Sequence, residues 1–381
     1  MRPTGPDLID DAAALEAADA SGTMRALATA GPQVRESAVL SVEAGVPALA
    51  DQGRPRAVLV AGVGDGSAAG DLLVAFTGPG CPVPVLTWRG FGLPAWVGAA
   101  DLLVAVTGSG ATEETLSALE EAARRGCPLL VVAAPDSPAE DLARRGSGTF
   151  VPVPHRHPAG AGLWALAAPL VVAADALGLA QAPAGVLEEA ALVLEAAAAR
   201  CRPDADAVVN PAKALALALS GALPLVWGTS PVTGAVAHRF ADQLGRNAGL
   251  PALAAVLPEA AHTALAVLHG PFAEQQRQDP FADPYLDGPA DRPDRARLRL
   301  VLLRDVDEHP VAAARAARVQ ELAEDRGTVV DVLTTTGESP LERLASLVTV
   351  TDYASAYLAL LQGRDPGAPD PTTALTARTS R

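Results

Sequence analysis

Short apolar runs alternate with amphipathic stretches along most of the chain. The runs are apolar at almost every position, as in strands buried on both faces of a parallel sheet, and they span residues 57–61, 102–107, 129–134, 223–228, 298–303 and 328–333. Between them lie stretches of helical periodicity, such as the one that places Leu116, Leu119 and Ala122 on one face. The pattern predicts repeated strand–helix–strand units with parallel strands and right-handed crossovers.

This repeat falls into two halves, which predicts an α/β protein with two domains. A chain of 381 residues is also longer than a single compact core usually is. The segment 275–297 is rich in Asp, Pro and Arg and is predicted to be a mobile insertion. We expect a helical arm in residues 1–50, a first domain in 51–182, a linker helix in 183–206, a second domain in 207–350, and a C-terminal helix with a flexible tail in 351–381.

Charge and composition narrow the range of functions. A formal net charge of -15 disfavours binding to nucleic acid or to an anionic membrane surface, because both attract basic faces. Cys81, Cys127 and Cys201 stand far apart, without the spacing typical of a disulfide framework or a zinc site. We expect neither a metal nor a cofactor. The first residues contain no apolar stretch, so the expected location is the cytoplasm.

Two strand-to-helix turns in the first half are candidate phosphate sites. One is the glycine turn at 62–67, and the other is the sequence Thr-Gly-Ser-Gly-Ala-Thr-Glu-Glu-Thr at 107–115. Glycines let the backbone approach a ligand, hydroxyls donate hydrogen bonds, and free N–H groups at a helix start attract an anion. An ordinary capped helix start is the alternative for each turn. The candidate phosphate-binding residues are Gly64, Gly66, Ser67, Thr107, Ser109, Gly110 and Thr112.

A set of motifs in this order resembles the bifunctional phosphoglucose/phosphomannose isomerases. Residues 107–115 are similar to that family's Ser-Tyr-Ser-Gly-Asn-Thr-x-Glu-Thr, and residues 62–71 to its Gly-Met-Gly-Gly-Ser-x-x-Gly-Gly-Asp. The sequences Pro-Glu-Ala-Ala-His at 258–262 and Gly-Glu-Ser-Pro-Leu-Glu-Arg-Leu at 337–344 resemble further blocks. Each motif alone is weak, but the ordered set is specific. The resemblance implies two sugar-isomerase (SIS) domains, each a parallel sheet flanked by helices in a flavodoxin-like three-layer sandwich.

The resemblance also implies aldose–ketose isomerisation, and this chain departs from the residues that perform it. The reaction needs a group that opens the sugar ring, a carboxylate that moves a proton between two carbons, and a cation for the enediolate oxygen. His262 matches the ring-opening position. Arg246 stands where the family has its proton-carrying glutamate, and a guanidinium does not accept a proton at neutral pH. Glu259, one helical turn from His262, is a candidate substitute base. The family's lysine falls at about Thr376, and its arginine at about Trp164.

We therefore expect a protein that binds a hexose 6-phosphate and has weak or lost isomerase activity. An active glucose 6-phosphate/mannose 6-phosphate isomerase with a rearranged site is the alternative within the family. An NADP-binding protein is an alternative of another class, because Gly62-x-Gly64-x-Gly66 follows a strand and Arg89 stands where a 2′-phosphate would be held. A sugar-phosphate sensor that acts through a protein partner is a further alternative.

A homodimer is expected from the aromatic residues near the C-terminus. Tyr353, Tyr357 and Leu360 share one helical stripe in a chain with only 3% aromatic residues, which suggests an anchoring surface between subunits. The alternative is that this stripe packs in the core of a single subunit.

Overall fold

The computed structural model describes residues 5–154, 157–270, 272 and 297–368. Within these residues the chain forms two parallel β-sheets with helices on both faces of each. The strands of the first sheet are β1 (Val58–Ala61), β2 (Val85–Trp88), β3 (Leu102–Thr107), β4 (Leu129–Ala133) and β5 (Thr149–Pro152). Those of the second sheet are β6 (Ala222–Gly228), β7 (Leu253–Val256), β8 (Arg297–Arg304) and β9 (Val329–Thr334).

The helices connect the strands and flank the two sheets. They are α1 (Ala12–Ala18), α2 (Thr23–Leu27), α3 (Ala30–Glu43), α4 (Asp65–Thr77), α5 (Glu113–Arg124), α6 (Pro138–Arg145), α7 (Leu163–Ala176), α8 (Ala184–Cys201), α9 (Pro211–Leu219), α10 (Pro231–Gln243), α11 (Ala260–Thr263), α12 (Pro310–Glu324) and α13 (Pro340–Leu361). Short 3-10 helices span Pro6–Asp10, Val46–Gln52 and Leu265–His269, and a π-helical turn spans Leu244–Ala248. That π turn directly follows α10 and contains Arg246.

Both sheets share one strand order. The first sheet has the order β2-β1-β3-β4-β5 and the second the order β7-β6-β8-β9, and the strand pairs are parallel. The winding of the chain therefore reverses between β1 and β3, and again between β6 and β8. In sheets of this flavodoxin-like order, ligands bind beyond the carboxyl ends of the strands at such a reversal point. The strand order therefore predicts one candidate ligand site in each half, at the reversal point of its sheet.

Each sheet lies between two layers of helices. In β3, Val104 and Val106 face the central core that contains α4 and α7, whereas Leu103 and Ala105 face α5 and α6. The second sheet follows the same alternation, with β8 contributing to the central core and to an outer cluster that includes α12. The central core is shared by both halves. The predicted three-layer α/β architecture with parallel sheets is confirmed.

The aromatic stripe near the C-terminus is a core element, and its prediction as a subunit contact is wrong. Tyr353, Tyr357 and Leu360 are at most 1% exposed, since α13 packs against α8, α9 and α10. The Tyr353 hydroxyl donates to the Met24 carbonyl at 3.3 Å, and the Tyr357 hydroxyl donates to the Cys201 carbonyl at 2.6 Å. Helical periodicity alone does not distinguish a stripe that faces its own chain from one that faces a second chain.

Among the described helices, α13 is the one that is long and apolar enough to cross a membrane. Its most apolar window of 18 residues is entirely buried among the other elements of the chain. It therefore serves as the central core helix of this α/β fold.

The segments outside the two sheets also pack onto the core. The predicted arm holds α1, α2 and α3, of which α3 packs against α7 and α8. The predicted linker contains α8, which packs against α3 and α13. The domain boundaries themselves stay predictions. The predicted insertion at 275–297, apart from its last residue, lies outside the described residues, as does the tail from residue 369 that includes Thr376.

Candidate functional site

A cavity of about 830 Å³ lies at the reversal point of the first sheet. Its walls come from the turn after β1, the turn after β3, the start of α5, the segment between β5 and α7, and Arg246 from the second half. Cavities that hold small molecules usually measure about 300–1,000 Å³. The volume is therefore sufficient for a phosphorylated sugar.

The glycine turn after β1 brings the start of α4 against β3. Gly64 has φ +57° and precedes the first residue of α4. A Cβ atom on Gly66 would lie 2.3 Å from the Val106 carbonyl oxygen, so only glycine allows this approach. Gly64 and Gly66 line the cavity. Ser67 is buried instead, and its hydroxyl donates to the Gly64 carbonyl at 2.9 Å, which stabilises the turn.

Three hydroxyl groups cluster in the turn after β3. The Thr107 and Thr112 hydroxyl oxygens lie 2.8 Å apart, and the Ser109 oxygen lies 3.4 Å from that of Thr107 and 3.5 Å from that of Thr112. All three residues line the cavity at the start of α5. Gly110 lies beneath them with φ +69°, and a Cβ there would meet Ser137 at 2.2 Å. The hydroxyls can donate together to one anion at a helix start.

Arg246 reaches the same cavity from the π turn of the second half. Its Nη1 lies 3.8 Å from Asp65 Oδ1, and its Nη2 donates to Gln243 Oε1. Gly160, with φ +89°, leaves room for the guanidinium, because a Cβ there would lie 1.7 Å from Nη2. The Arg246 side chain is 22% exposed. It is thus held in the cavity wall rather than in open solvent.

Asp65 also joins a buried ion pair between two helices of the second half. Arg239 donates to Asp352 through Nε at 2.9 Å and through Nη2 at 2.7 Å, and both side chains are almost fully buried. Arg239 Nη1 donates to Asp65 Oδ1 at 3.3 Å, while the Gly160 N–H donates to Asp65 Oδ2 at 2.7 Å. Burial opposes the charge on Asp65, but Arg246 and Arg239 outweigh it and lower the Asp65 pKa. Asp65 is therefore anionic near neutral pH.

In the second half, a carboxylate of the chain itself lies between the turn after β6 and the turn after β8. Asp305 follows β8 and is 4% exposed. Its Oδ2 accepts from the Ser230 hydroxyl at 2.6 Å, and its Oδ1 accepts from the Thr335 hydroxyl at 3.1 Å. Arg343 Nε lies 3.2 Å from Oδ1 and balances the charge. Asp305 thus occupies the place beside the α10 start that corresponds to the open cavity of the first half.

The other residues predicted for catalysis lie elsewhere. His262 and Glu259 lie on and just before α11, beyond β7, and both are exposed. Neither is among the residues that line the cavity. Trp164, at the family's arginine position, is 4% exposed in α7. The described chain thus brings Arg246 to the phosphate turns but does not bring His262 or Glu259 there.

Arg89, which the NADP interpretation requires, has a partner within the first half. It forms an ion pair with Asp71 of α4. This carboxylate offsets part of the positive charge that a 2′-phosphate would need. The contact does not favour a dinucleotide site at the glycine turn.

Asp65 and Arg239 were missed by sequence reasoning, although one signal pointed to Asp65. In the glycine motif that residues 62–71 resemble, the position of Asp65 is a glycine. At the position of Arg246 the resembling motif has a glutamate. Replacements that bring a carboxylate to one position and a guanidinium to another indicate a pair of opposite charge. The structure brings these two replaced positions together.

Comparisons with known proteins agree with the motifs. A family model for the C-terminal SIS domain of bacterial phospho-glucose isomerase matches residues 208–378. The bifunctional phosphoglucose/phosphomannose isomerase of Caldicellulosiruptor bescii is 28% identical over 309 residues, which covers 81% of this chain and 85% of the relative. The enzyme of the same name from Aquifex aeolicus is 26% identical over 283 residues, covering 74% and 77%.

Solved structures share the fold. A hypothetical protein from Thermus thermophilus superposes with a TM-score of 0.69 at 17% identity, covering 98% of this chain and 94% of the other. The C-terminal domain of a glucosamine-fructose-6-phosphate aminotransferase from Francisella tularensis gives a TM-score of 0.61 at 13% identity, covering 90% and 96%. At these identities the likeness concerns the architecture alone.

Proposed function

We propose that this chain, which is similar to the bifunctional phosphoglucose/phosphomannose isomerases over most of its length, is a member of their family and binds a hexose 6-phosphate with weak or lost isomerase activity. The phosphate would bind the hydroxyls of Thr107, Ser109 and Thr112 at the start of α5. The glycine turn after β1 would form the opposite wall. Two helix starts meet at this cavity, and each favours an anion through its free N–H groups.

One observation carries the proposal of lost chemistry. Arg246, at the family position of the proton-carrying glutamate, lines the same cavity as the hydroxyl turn, which is the turn after β3 with its three hydroxyl residues at 107, 109 and 112. A guanidinium donates hydrogen bonds but does not accept a proton at physiological pH. The residue that would abstract a proton from the sugar is thereby replaced by a residue that can only donate hydrogen bonds to its oxygen atoms. General-base catalysis typically contributes about 10²–10⁴ in rate, so its loss is large.

The carboxylates of the described residues do not replace this group well. Asp65 lines the cavity, but both of its oxygens are engaged and its pKa is lowered, which makes it a weak base. Glu113 and Glu114 also line the cavity, but they belong to the turn that would hold the phosphate and not the reacting carbons. Glu259 is exposed and does not line the cavity. An active isomerase with a rearranged site is therefore the less favoured function.

Calorimetry and a coupled assay on the same preparation test the proposal. We expect fructose 6-phosphate to bind with measurable affinity and inorganic phosphate to bind less tightly, because the sugar adds contacts in the cavity. We expect turnover of glucose 6-phosphate or mannose 6-phosphate far below about 10 s⁻¹, an ordinary enzyme rate. An ordinary rate would overturn the lost chemistry. Absence of any hexose-phosphate binding would overturn the whole proposal.

We also propose that the protein is a homodimer in the cytoplasm, through a surface other than the stripe of α13. That stripe is buried within one chain and is not available. Light scattering at micromolar concentration measures the mass directly. A monomeric mass would contradict the dimer without affecting the ligand proposal.

A further inference from the structure

We propose that this cavity binds a sugar-acid phosphate, a ligand with a phosphate at one end and a carboxylate at the other, and that Arg246 selects it. The inference rests on the proposed sugar-phosphate function and adds the chemistry of the ligand's second end. A single phosphate would leave most of a cavity of about 830 Å³ unfilled. The group that meets the rest of the ligand therefore decides which sugar derivative fits.

Arg246 retains donors for a ligand. Its Nη2 donates to Gln243 Oε1, and its Nε lies 3.4 Å from Asn247 Oδ1. Its Nη1 lies 3.8 Å from Asp65 Oδ1, which is an ion-pair distance but too long for a hydrogen bond. Within the described part of the chain, the Nη1 group makes no hydrogen bond. Its two N–H bonds can therefore be directed to a ligand oxygen.

The guanidinium is fixed in place before any ligand arrives. Gln243, its hydrogen-bond partner, is 3% exposed and also lies 3.4 Å from Asp352 Oδ1 through Nε2. Gly160 leaves the space that the guanidinium occupies, because a Cβ there would lie 1.7 Å from Arg246 Nη2. A side chain that is already ordered loses little conformational freedom when it binds. Arg246 is therefore a preorganised part of the site.

Arg246 is the residue of the cavity wall that can pair with a ligand carboxylate, although Asp65, Glu113 and Glu114 line the same cavity. Asp65 shares its charge between Arg239 and Arg246, so it offsets Arg246 only in part. Among the described residues that line the cavity, Arg246 is the only arginine or lysine. A guanidinium binds a carboxylate through charge-assisted, often paired hydrogen bonds, which are stronger than those to a neutral hydroxyl.

A sugar-acid phosphate also explains why the site needs no proton carrier. The first carbon of such a ligand is already a carboxylate, so there is no aldehyde or ketone to interconvert. A glutamate in the position of Arg246 would repel that carboxylate. The same replacement that removes the base thus creates a partner for the oxidised end of the sugar.

The test is isothermal calorimetry on the full chain with 6-phosphogluconate, fructose 6-phosphate and inorganic phosphate as probes. We expect wild-type protein to bind 6-phosphogluconate about tenfold or more tightly than fructose 6-phosphate. Arg246→Gln should lower this ratio to near one, and Arg246→Lys should leave it at an intermediate value, because lysine keeps the charge without the planar fork. Arg318→Gln is the matched control, since Arg318 is 64% exposed on α12, and it should leave the ratio unchanged.

The other possible results distinguish a failure of this inference from a failure of the proposed function. Binding of fructose 6-phosphate without a preference for 6-phosphogluconate would overturn this inference and leave the proposed function intact. Binding of neither sugar would overturn both. An equal loss of both affinities in Arg246→Gln would assign Arg246 to the phosphate and overturn the selection of a carboxylate. Melting temperatures of the variants, measured in parallel, distinguish a lost contact from a lost fold, and Arg246→Lys decides if Arg246→Gln does not fold.

Discussion

Asp65 Oδ1 and Arg239 Nη1 lie 3.3 Å apart, although the two residues are separated by 174 positions in the chain. The contact joins the start of α4 in the first half to α10 in the second, and these two helices also pack against each other. Because Arg239 is bound to Asp352 of α13 as well, the wall of the cavity is tied to the central core helix. The geometry of the site therefore depends on how the two halves are joined.

The buried pair of Arg239 and Asp352 should dominate the stability of this junction. Asp352→Ala leaves Arg239 charged and buried with one partner fewer, which typically costs about 3–5 kcal/mol. The free energy of unfolding by urea should fall by that amount. Arg25→Ala is the control, because Arg25 and Glu16 form a pair that is 84% and 76% exposed, and it should hardly change stability. An Asp352→Ala variant as stable as the wild type would mean that Asp65 alone suffices for Arg239.

The hydroxyl turn should carry the affinity for phosphate. Ser109→Ala with Thr112→Ala removes two donors at the start of α5, and binding of fructose 6-phosphate should weaken by about 2–4 kcal/mol. The melting temperature should change much less, because these hydroxyls bond mainly to one another. Calorimetry gives the affinity. Ser220→Ala, an exposed serine after α9, is the control. Unchanged affinity in the double variant would place the phosphate elsewhere.

Restoring both replaced positions should restore some chemistry. Arg246→Glu alone puts a glutamate next to Asp65, where the two like charges repel each other, so we expect at most a trace of isomerase turnover. The double variant with Asp65→Gly restores the glycine and the glutamate of the resembling motifs, and its turnover should exceed that of either single variant. The coupled assay with fructose 6-phosphate measures this, with Arg318→Glu as a surface control. Equal turnover in all variants would show that isomerase activity does not depend on Asp65 and Arg246.

Acid should destabilise the protein through a buried carboxylate just before β3. Asp101 is fully buried and accepts from Arg56 Nε at 2.9 Å, and this contact lowers the Asp101 pKa. A lowered pKa contributes stability above the ordinary value of about 4, and that contribution is lost as the pH falls through the folded-state value. Urea midpoints between pH 7 and pH 3 should drop in the acid range. Asp101→Asn should be less stable at pH 7 and should show a shallower acid drop.

The exposed Asp242→Asn is the control for this acid effect, and its profile should follow that of the wild type. An Asp101→Asn profile parallel to that of the wild type would assign the acid sensitivity to other carboxylates. Asp65, whose pKa is also lowered, is the next residue to test.

The strands were predictable because burial on both faces requires apolar runs. The run at 102–107 and the strand Leu102–Thr107 coincide. Gly126, with φ +69°, follows the end of α5, where glycine is common. The start of α13 was placed too late, since the capping box of Ser339 and Glu342 begins the helix at Pro340. Local chemistry of this kind can be read from neighbouring residues.

The site was harder to predict because its contacts join distant parts of the chain. The phosphate turns were visible as motifs, and Arg246 was visible as a departure from one. Its pairing with Asp65 depends on how α4 and α10 pack, which no local pattern specifies. For the same reason His262 and Glu259 could be identified by resemblance, but their position relative to the cavity could not.

If the proposed ligand binds to the first half, the carboxylate of Asp305 should make the two halves respond differently to its concentration. Because it is part of the chain, the crevice beside α10 is occupied at every ligand concentration, whereas occupancy beside α5 follows the free ligand. In hydrogen exchange, amides at the start of α5 should slow as ligand is added, and those at the start of α10 should not. The second half thus serves as a built-in reference, against which the filling of the first half can be measured within one molecule.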